Sequence, residues 1–335
     1  MNRMTHLQLF FGLLIIGFLA GPRAMEALNR IGTPSTPPSA TISQIAAVGS
    51  THTVDELAQP QSEDPFAHLQ LTGKAVFVWD IATHRKLFGY NEYTPLPLAS
   101  VTKMMTAVVA TEVTPSDTKV AITGGDITEE GDTGLLSGEV WHLKDLLDFT
   151  LVASSNDGAS AIARTSGALI NPDASSADSA LGKKLFIAKM NEKAHLIGLD
   201  NSRFINESGL DVTSTENGGY GSARDMAILF EYVFKKYPEL LTATTQATLK
   251  IRSLSNFIHN IANTNIDVAS TTGIIGSKTG YTDLAGGNLV ILVDIGINHP
   301  VAIAVLGSTR EGRFADVEQL IKAATTEITS ETTLQ

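Results

Sequence analysis

The sequence predicts an α+β fold in which helices cover one central antiparallel sheet of five strands. Two strand-like segments lie between residues 75 and 90, and three more lie between residues 274 and 307. The chain between these two groups is mostly helical in pattern. Because short turns join neighbouring strands, we expect antiparallel pairing, with strands from both chain ends in one sheet and helices packed on it.

The folded region opens with a predicted hairpin and a buried helix. Residues 75–81 are apolar and aromatic, a polar turn follows, and residues 86–90 complete the hairpin. Pro95 and Pro97 hold the next segment extended, because proline fixes φ. An unbroken run rich in Ala, Met and Val follows, which predicts a buried helix that begins near Ala99.

Spacing and end signals predict the remaining elements. Leucines recur at helical spacing over 142–153, a polar loop follows, and small residues form a helix over 159–166. Gly198 ends a helix, and Ser222-Ala-Arg-Asp225 is a capping box that opens another. The acidic, glycine-rich segment 126–139 is expected to be a solvated loop. We expect helices over 181–197, 226–234 and 313–326 and late strands over 274–282, 288–294 and 301–307.

Three regions divide the chain. Residues 1–24 contain a positive segment and an apolar run, which predicts a signal peptide or an N-terminal membrane anchor. The run is short for a full span of about 20 residues, and no convincing cleavage site follows it. Residues 25–64 are expected to be a flexible linker. Residues 65–330 then form one folded domain outside the cytoplasm, in a periplasm or at a cell surface.

Composition excludes several classes of function. The formal net charge is −11 and no basic cluster occurs, so nucleic acid is not an expected partner. The absence of cysteine excludes thiol catalysis, thiolate zinc sites and disulfides. The eight histidines lack the spacing of a metallopeptidase, so we expect neither a metal ion nor another cofactor.

Ser100 and Lys103 are the first candidate catalytic pair. Residues i and i+3 share a helix face, so the lysine amine can reach the serine hydroxyl. A desolvated amine loses its proton more readily than an exposed one, and a neutral amine can take a proton from serine. A capping serine beside a surface lysine would give the same pattern. Ser116 and Lys119 repeat the spacing in a polar turn, where we expect a solvated loop.

Two further motifs follow in a fixed order. Ser154 and Asn156 form an S-x-N motif, and Lys278-Thr-Gly280 lies on the first late strand. Lys278 and Gly280 share a strand face, because side chains alternate. Gly280 has no side chain, so a ligand can lie close along that edge. Lys278 and Thr279 offer a positive charge and a hydroxyl to a carboxylate.

The ordered motifs are similar to the signature of the active-site-serine penicillin-recognising enzymes. Over roughly residues 71–325 the chain resembles the D-alanyl-D-alanine carboxypeptidase family, the low-molecular-mass penicillin-binding proteins. The stretches that carry the resemblance are Ala99-Ser-Val-Thr-Lys-Met-Met-Thr, Ser154-Ser-Asn-Asp, Phe204-Ile-Asn-Glu-Ser-Gly-Leu-Asp, Ser222-Ala-Arg-Asp-Met-Ala, Lys278-Thr-Gly-Tyr-Thr-Asp-Leu-Ala-Gly and Arg313-Phe-Ala-Asp. The resemblance implies a β-lactamase/transpeptidase-like catalytic domain over 65–330.

The resemblance also implies an activity and a role for each site residue. The enzyme would trim peptidoglycan stem peptides ending in D-Ala-D-Ala, and β-lactam antibiotics would be covalent inhibitors. Ser100 would form the acyl-enzyme, Lys103 would be the general base, and Ser154 would relay the proton to the leaving amine. The substrate-binding residues would be Asn156 (substrate amide), Lys278 and Thr279 (terminal carboxylate), Gly280 (open strand edge), Tyr281 (oxyanion hole, with the Ser100 N–H) and Arg310 (carboxylate, or an ordinary surface arginine).

Three alternatives stay open on the sequence. A DD-endopeptidase that cuts crosslinks would use the same motifs. A class A β-lactamase would need a deacylating glutamate, but Glu192 lies within a predicted helix and is expected to be solvated. A non-catalytic peptidoglycan-binding protein would need none of the three catalytic residues. Many relatives carry a C-terminal β-rich domain and an amphipathic helix that this sequence lacks, so any membrane attachment is expected at the N-terminus.

Overall fold

A computed structural model describes residues 64–128, 130–131, 133–170 and 179–333 of the chain. The predicted signal or anchor segment, 1–24, lies outside the described residues, as does the predicted linker up to residue 63. In the described part of the chain, no helix combines the length and the apolar character needed to cross a membrane.

One antiparallel sheet combines strands from both ends of the folded region. The strands of the described residues, in chain order, are β1 (Ala75–Asp80), β2 (Arg85–Tyr90), β3 (Leu96–Pro97), β4 (Lys119–Ala121), β5 (Val140–His142), β6 (Arg203–Phe204), β7 (Gly219–Gly221), β8 (Thr248–Arg252), β9 (Ile258–Ala262), β10 (Ile274–Thr282), β11 (Gly286–Asp294) and β12 (Pro300–Ser308). Among these, five strands form the central sheet in the order β2-β1-β12-β11-β10, and all neighbours pair antiparallel. The predicted fold class and sheet are confirmed, and β10 lies at an edge.

Helices cover both faces of this sheet. The helices of the described residues, in chain order, are α1 (Thr102–Val113), α2 (Leu143–Ala153), α3 (Asn156–Ile170), α4 (Ser179–Leu196), α5 (Ala223–Lys236), α6 (Glu239–Thr242) and α7 (Gly312–Thr333). Side chains alternate along each strand, so each face receives its own set. Phe77 and Val290 pack in the larger core with α1, α2 and α5, whereas Val76 and Leu289 pack beneath α7.

The turn that carries Ser100 is tighter than predicted. A 3₁₀ turn over Ala99–Val101 precedes α1, so the α-helix itself begins only at Thr102. Ala99 has a φ of 47°, in the left-handed region. A non-glycine residue there costs of order 1–3 kcal/mol, and such strain persists only where the surroundings impose it.

The start of α3 differs from the prediction. The helix begins at Asn156 rather than at residue 159. Ser155 explains the earlier start, because its Oγ accepts a hydrogen bond from Gly158 N at 3.0 Å and so acts as a cap. The last helix is also longer than predicted, since α7 continues to Thr333.

Most described residues of the segment 126–139 are exposed, as the sequence predicted, but the carboxylates at its two ends are buried. Asp126 and Glu139 are each 1% exposed. Asp126 accepts hydrogen bonds from Ser160 Oγ at 3.0 Å and from Arg164 Nη2 at 2.9 Å. Glu139 Oε1 lies 2.7 Å from His259 Nε2. These long-range partners bury both carboxylates, and the spacing of residues along the chain gave no sign of them.

A hairpin of β8 and β9 has no counterpart in the prediction. The two strands pair antiparallel over Thr248–Arg252 and Ile258–Ala262. Side chains along β8 are alternately exposed and half-buried, so one face of the hairpin is exposed and the other packs on the protein. The segment is short and half polar, which left no clear period to recognise.

One carboxyl group on α2 is held in an unfavourable environment. Burial, with a smaller contribution from Asp145, raises the pKa of Asp148 from 3.8 to about 6. An aspartate in the unfolded chain has a pKa near 3.9. Because the folded-state pKa is the higher one, folding favours the protonated form, and stability falls as pH rises through about 6.

Candidate active site

Ser100 and Lys103 are in hydrogen-bond contact at the start of α1. Lys103 Nζ donates to Ser100 Oγ at 2.8 Å. The same nitrogen donates to Asn156 Oδ1 at 2.6 Å and to the carbonyl oxygen of Ser208 at 2.8 Å. Lys103 is 1% exposed, so its amine lies inside the protein. The structure therefore brings the predicted pair together and adds two fixed acceptors.

These acceptors suit an amine that exchanges a proton with Ser100. The amide oxygen of Asn156 and the carbonyl oxygen of Ser208 can only accept, so each takes one N–H of Lys103. Asn156 is itself oriented, because its Nδ2 donates to the carbonyl oxygen of Glu130. A neutral amine has two N–H groups and one lone pair. In the neutral form of Lys103, whose two N–H groups would stay on these acceptors, the lone pair would take the place of the donated hydrogen and face the hydroxyl of Ser100.

Ser154 and Lys278 form a second contact on the same side of the site. Ser154 ends α2 in the left-handed conformation, with a φ of 59°. Lys278 Nζ donates to Ser154 Oγ at 2.8 Å. Burial lowers the pKa of Lys278 well below its ordinary value, and the nearby charges of Lys103 and Arg313 lower it further. A bound anion would favour the charged form of Lys278 and so oppose this effect of burial.

Thr279 lies on the opposite face of β10. It pairs with Leu289 of β11, which packs beneath α7, whereas Lys278 pairs with Val290 on the other face. Opposed residues of an antiparallel pair share a face, so the two side chains of the motif approach the edge of β10 from opposite sides. Thr279 Oγ1 donates to Thr264 Oγ1 at 2.6 Å.

Two arginines stand beside this strand. Arg313 is 7% exposed, and its Nη1 donates to the carbonyl oxygen of Gly280 at 2.7 Å. Burial and the charge of Arg310 lower the pKa of Arg313 to about 10, so it stays protonated at neutral pH. Arg310 is exposed, and its guanidinium lies 4.6 Å from the ring centre of Tyr281. Both arginines add positive charge to the site.

Six of the predicted site residues line one open cavity of about 420 Å³, whereas Lys103, Asn156 and Lys278 lie behind its wall and contact lining residues or one another. We call it the Ser100 cavity, and its polar and charged lining side chains are Ser100, Ser154, Thr264, Thr279, Tyr281, Arg310, Glu311 and Arg313. A serine nucleophile forms one wall and cationic side chains form another, which suits a small substrate with a carboxylate. Among the described residues, no group of three or more side chains could hold a metal ion.

Gly280 is required by the chain's own backbone. A Cβ atom at this position would lie 2.6 Å from Leu98 O and 3.2 Å from Ser100 N. The sequence predicted that the glycine leaves room for a ligand, but the atoms that need the room belong to the turn of Ser100. Gly209 contacts the same turn, since its Cβ would lie 1.9 Å from Ala99 O. The backbone at Gly280 and the backbone at Gly209 therefore both pack against this turn and hold it in its strained conformation.

The alternatives weighed on the sequence occupy other places. Ser116 lies in an exposed turn, as predicted, and Lys119 is exposed. Glu192 is 54% exposed on α4 and forms an ion pair with Lys189 at 2.9 Å. None of these three residues lines the Ser100 cavity.

Four contributors to the site were not predicted. Two are carbonyl groups, those of Glu130 and Ser208, which every residue type carries. Thr264 lies in a stretch that had received no element. Arg313 was predicted as the first residue of the last helix and as part of a stretch matched by resemblance, but without a role in the site.

Comparison with known proteins adds three findings. A family model described as D-alanyl-D-alanine carboxypeptidase matches residues 59–310. A D-alanyl-D-alanine endopeptidase from Pseudomonas aeruginosa is 29% identical over 75% of this chain and 76% of the relative. The D-alanyl-D-alanine carboxypeptidase DacF from Bacillus subtilis is 29% identical over 72% of this chain and 59% of the relative. The ampicillin-bound structure of a penicillin-binding protein from Listeria monocytogenes is 26% identical with a TM-score of 0.60, covering 76% of this chain and 98% of that one.

Proposed function

Because the chain belongs to the D-alanyl-D-alanine carboxypeptidase family, we propose that it is a serine-type hydrolase that trims stem peptides of peptidoglycan. The substrate ends in D-Ala-D-Ala, and the last D-alanine is released. The observation that carries the proposal is the 2.8 Å contact between Ser100 Oγ and Lys103 Nζ at the edge of a cationic cavity. A serine beside a proton-accepting amine is a nucleophile for acyl transfer.

Acylation begins at Ser100. Its Oγ attacks the carbonyl carbon between the two D-alanines while Lys103 takes the hydroxyl proton. The N–H groups of Ser100 and Tyr281 stabilise the oxyanion, a contribution of about 3–4 kcal/mol in comparable sites. The C–N bond then breaks, and Ser154 relays the proton held by Lys103 to the departing amine, which returns Lys103 to its neutral form. Water hydrolyses the ester in the second step, with Lys103 as the base again.

The substrate is held on both sides of the scissile bond. Asn156 binds the substrate amide, next to its contact with Lys103. The terminal carboxylate binds at Thr279 and Lys278, and its negative charge stabilises the lysine ammonium that burial disfavours. Arg310 and Arg313 add positive charge at the same end of the cavity. Gly280 keeps the strand edge close to Ser100.

β-Lactams and the cell compartment follow from the same chemistry. A β-lactam presents a strained amide and a carboxylate, so it should acylate Ser100 as the peptide does. The ampicillin-bound relative supports this. Residues 65–330 form the catalytic domain, residues 25–64 the linker, and residues 1–24 a signal peptide or membrane anchor. Peptidoglycan lies outside the cytoplasmic membrane, which agrees with this arrangement.

A second candidate activity is DD-endopeptidase cleavage of crosslinks. It is favoured by the similarity to the Pseudomonas aeruginosa protein, which is named an endopeptidase and matches over 76% of its length. Both activities use Ser100 and differ in the group that leaves.

The experiment that tests the proposal measures D-alanine release from a purified pentapeptide muropeptide. The wild-type domain should release one D-alanine per peptide, and Ser100→Ala should release none. Ser116→Ala is the matched control, because Ser116 has the same spacing to a lysine but lies in an exposed turn. A folded wild-type protein that neither releases D-alanine nor reacts with penicillin would contradict the proposal.

A further inference from the structure

A second cavity, also of about 420 Å³, adjoins the Ser100 cavity. Phe314 of α7 lines both of them. Asn265 lines the second cavity, while its chain neighbours Thr264 and Ile266 line the first. The two cavities therefore share a wall, and a ligand that passes Phe314 on leaving the first cavity enters the second. The proposed trimming reaction assigns no role to any residue that lines this second cavity.

The second cavity has an apolar floor and a polar rim. The floor is formed by Leu289 and Ile291 of β11 and by Val317 of α7. Asp267 stands on the rim, and in the described part of the chain no group donates a hydrogen bond to its exposed carboxylate. Lys322 and Glu318 also line this rim, where they form a largely exposed ion pair with an Nζ–Oε1 distance of 2.6 Å. Such a lining suits an aliphatic chain that carries both an ammonium and a carboxylate group.

The leaving group of a crosslinked stem peptide has this chemistry. Where a crosslink joins D-alanine to the side-chain amine of a diamino dicarboxylic acid, the cleaved nitrogen sits on a carbon that also bears a carboxylate. That carbon carries a methylene chain in place of the methyl group of D-alanine, and the chain leads to the second stem peptide. One carboxylate site at Thr279 can therefore serve both substrates. The two differ in the space that their leaving groups need beyond this site.

We propose that the second cavity is the subsite for the leaving strand of such a crosslinked dimer. The methylene chain lies on Leu289 and Ile291, an ammonium or amide N–H group meets Asp267, and a carboxylate meets Lys322. Ser100 Oγ forms an ester with the D-alanine carbonyl, the amide C–N bond breaks, and the diamino dicarboxylic acid of the second strand leaves as an amine after taking one proton. Water then releases the other strand as a tetrapeptide. This inference rests on the proposed function, because it uses the same acyl-enzyme.

A bulky side chain introduced on the rim of the second cavity should slow cleavage of the dimer without slowing trimming of the pentapeptide. Thr272 lines the second cavity and is exposed, and it does not line the Ser100 cavity. Thr272→Trp should slow cleavage of a diaminoacyl-crosslinked muropeptide dimer by at least about tenfold. Release of D-alanine from the pentapeptide and acylation by penicillin should stay within about twofold of wild type. Thr248→Trp is the matched control, an exposed threonine that lines neither cavity, and it should change none of these rates.

A charge variant tests the recognition itself. Asp267→Asn should raise the KM for the dimer several-fold at nearly constant kcat and leave pentapeptide trimming unchanged. If wild type trims pentapeptide and reacts with penicillin but leaves the dimer intact, the subsite is refuted while the proposed function stands. Equal effects of Thr272→Trp on both substrates, or no effect on the dimer, would also refute the subsite. Absence of both trimming and penicillin acylation would refute the proposed function.

Discussion

Replacing Gly280 with alanine tests how closely strand β10 and the turn of Ser100 must fit. The added Cβ would lie 2.6 Å from Leu98 O, and ordinary contact begins at 3.4 Å, so the two backbones must separate by about 0.8 Å. A misplacement of about 1 Å can cost about 100-fold in rate. We therefore expect Gly280→Ala to lower the rate constant of penicillin acylation by about 30- to 100-fold.

The variant should still fold. Overpacking of this kind costs about 1–3 kcal/mol, against a total stability of about 5–15 kcal/mol for a typical domain. Stopped-flow acylation with a chromogenic β-lactam gives the rate, and urea unfolding gives the free energy. Gly124→Ala is the control, because its Cβ would meet nothing closer than Ser137 Oγ at 3.9 Å. A folded Gly280→Ala protein that acylates at the wild-type rate would refute the reasoning.

Four further results are expected. Lys103→Arg should fold yet lose acylation by at least about 100-fold, because guanidinium keeps its proton; near-normal acylation would exclude this lysine as the base. The pKa difference of Asp148 between the folded and the unfolded chain corresponds to about 3 kcal/mol, which we reduce to about 1–2 kcal/mol because the side chain is partly exposed. Asp148→Asn should therefore raise the free energy of unfolding by about 1–2 kcal/mol at pH 7.5, and the gain should vanish near pH 4. Urea unfolding at both pH values checks this, with exposed Asp117→Asn as control, and an equal gain at both would contradict it. Arg313→Ala should raise the KM for pentapeptide at least tenfold, measured by D-alanine release, and an unchanged KM would remove Arg313 from carboxylate binding. Activity should survive EDTA, and its loss would reveal a metal requirement.

Local spacing predicted the parts of the site that lie on single elements. Ser100 and Lys103 are three residues apart on one helical turn, so geometry alone placed the amine at the hydroxyl. Alternation along β10 placed Lys278 and Gly280 on one face. The five-stranded sheet was predictable for a related reason, because short turns between late strands allow only antiparallel pairing.

Contacts between distant segments were beyond the sequence. The carbonyl group of Ser208 receives a hydrogen bond from Lys103 across 105 positions. The residue type at a position gives no sign that its backbone carbonyl group will accept such a bond, because every residue has one. Arg313 reaches Gly280 O only through the packing of α7 on the sheet. The buried pair of Asp126 and Arg164 was missed in the same way, since its members read as solvated charges until the helices are assembled.

Every step proposed for this enzyme depends on Ser100 being the acylated residue. The most direct measurement is intact-protein mass spectrometry after incubation with penicillin, followed by peptide mapping of the adduct. Wild type should gain the mass of one penicillin, located on Ser100, and Ser116→Ala should be labelled equally. Ser100→Ala should gain nothing while remaining folded. An adduct that persists in Ser100→Ala, or that maps to any other residue of the wild type, would contradict the claim.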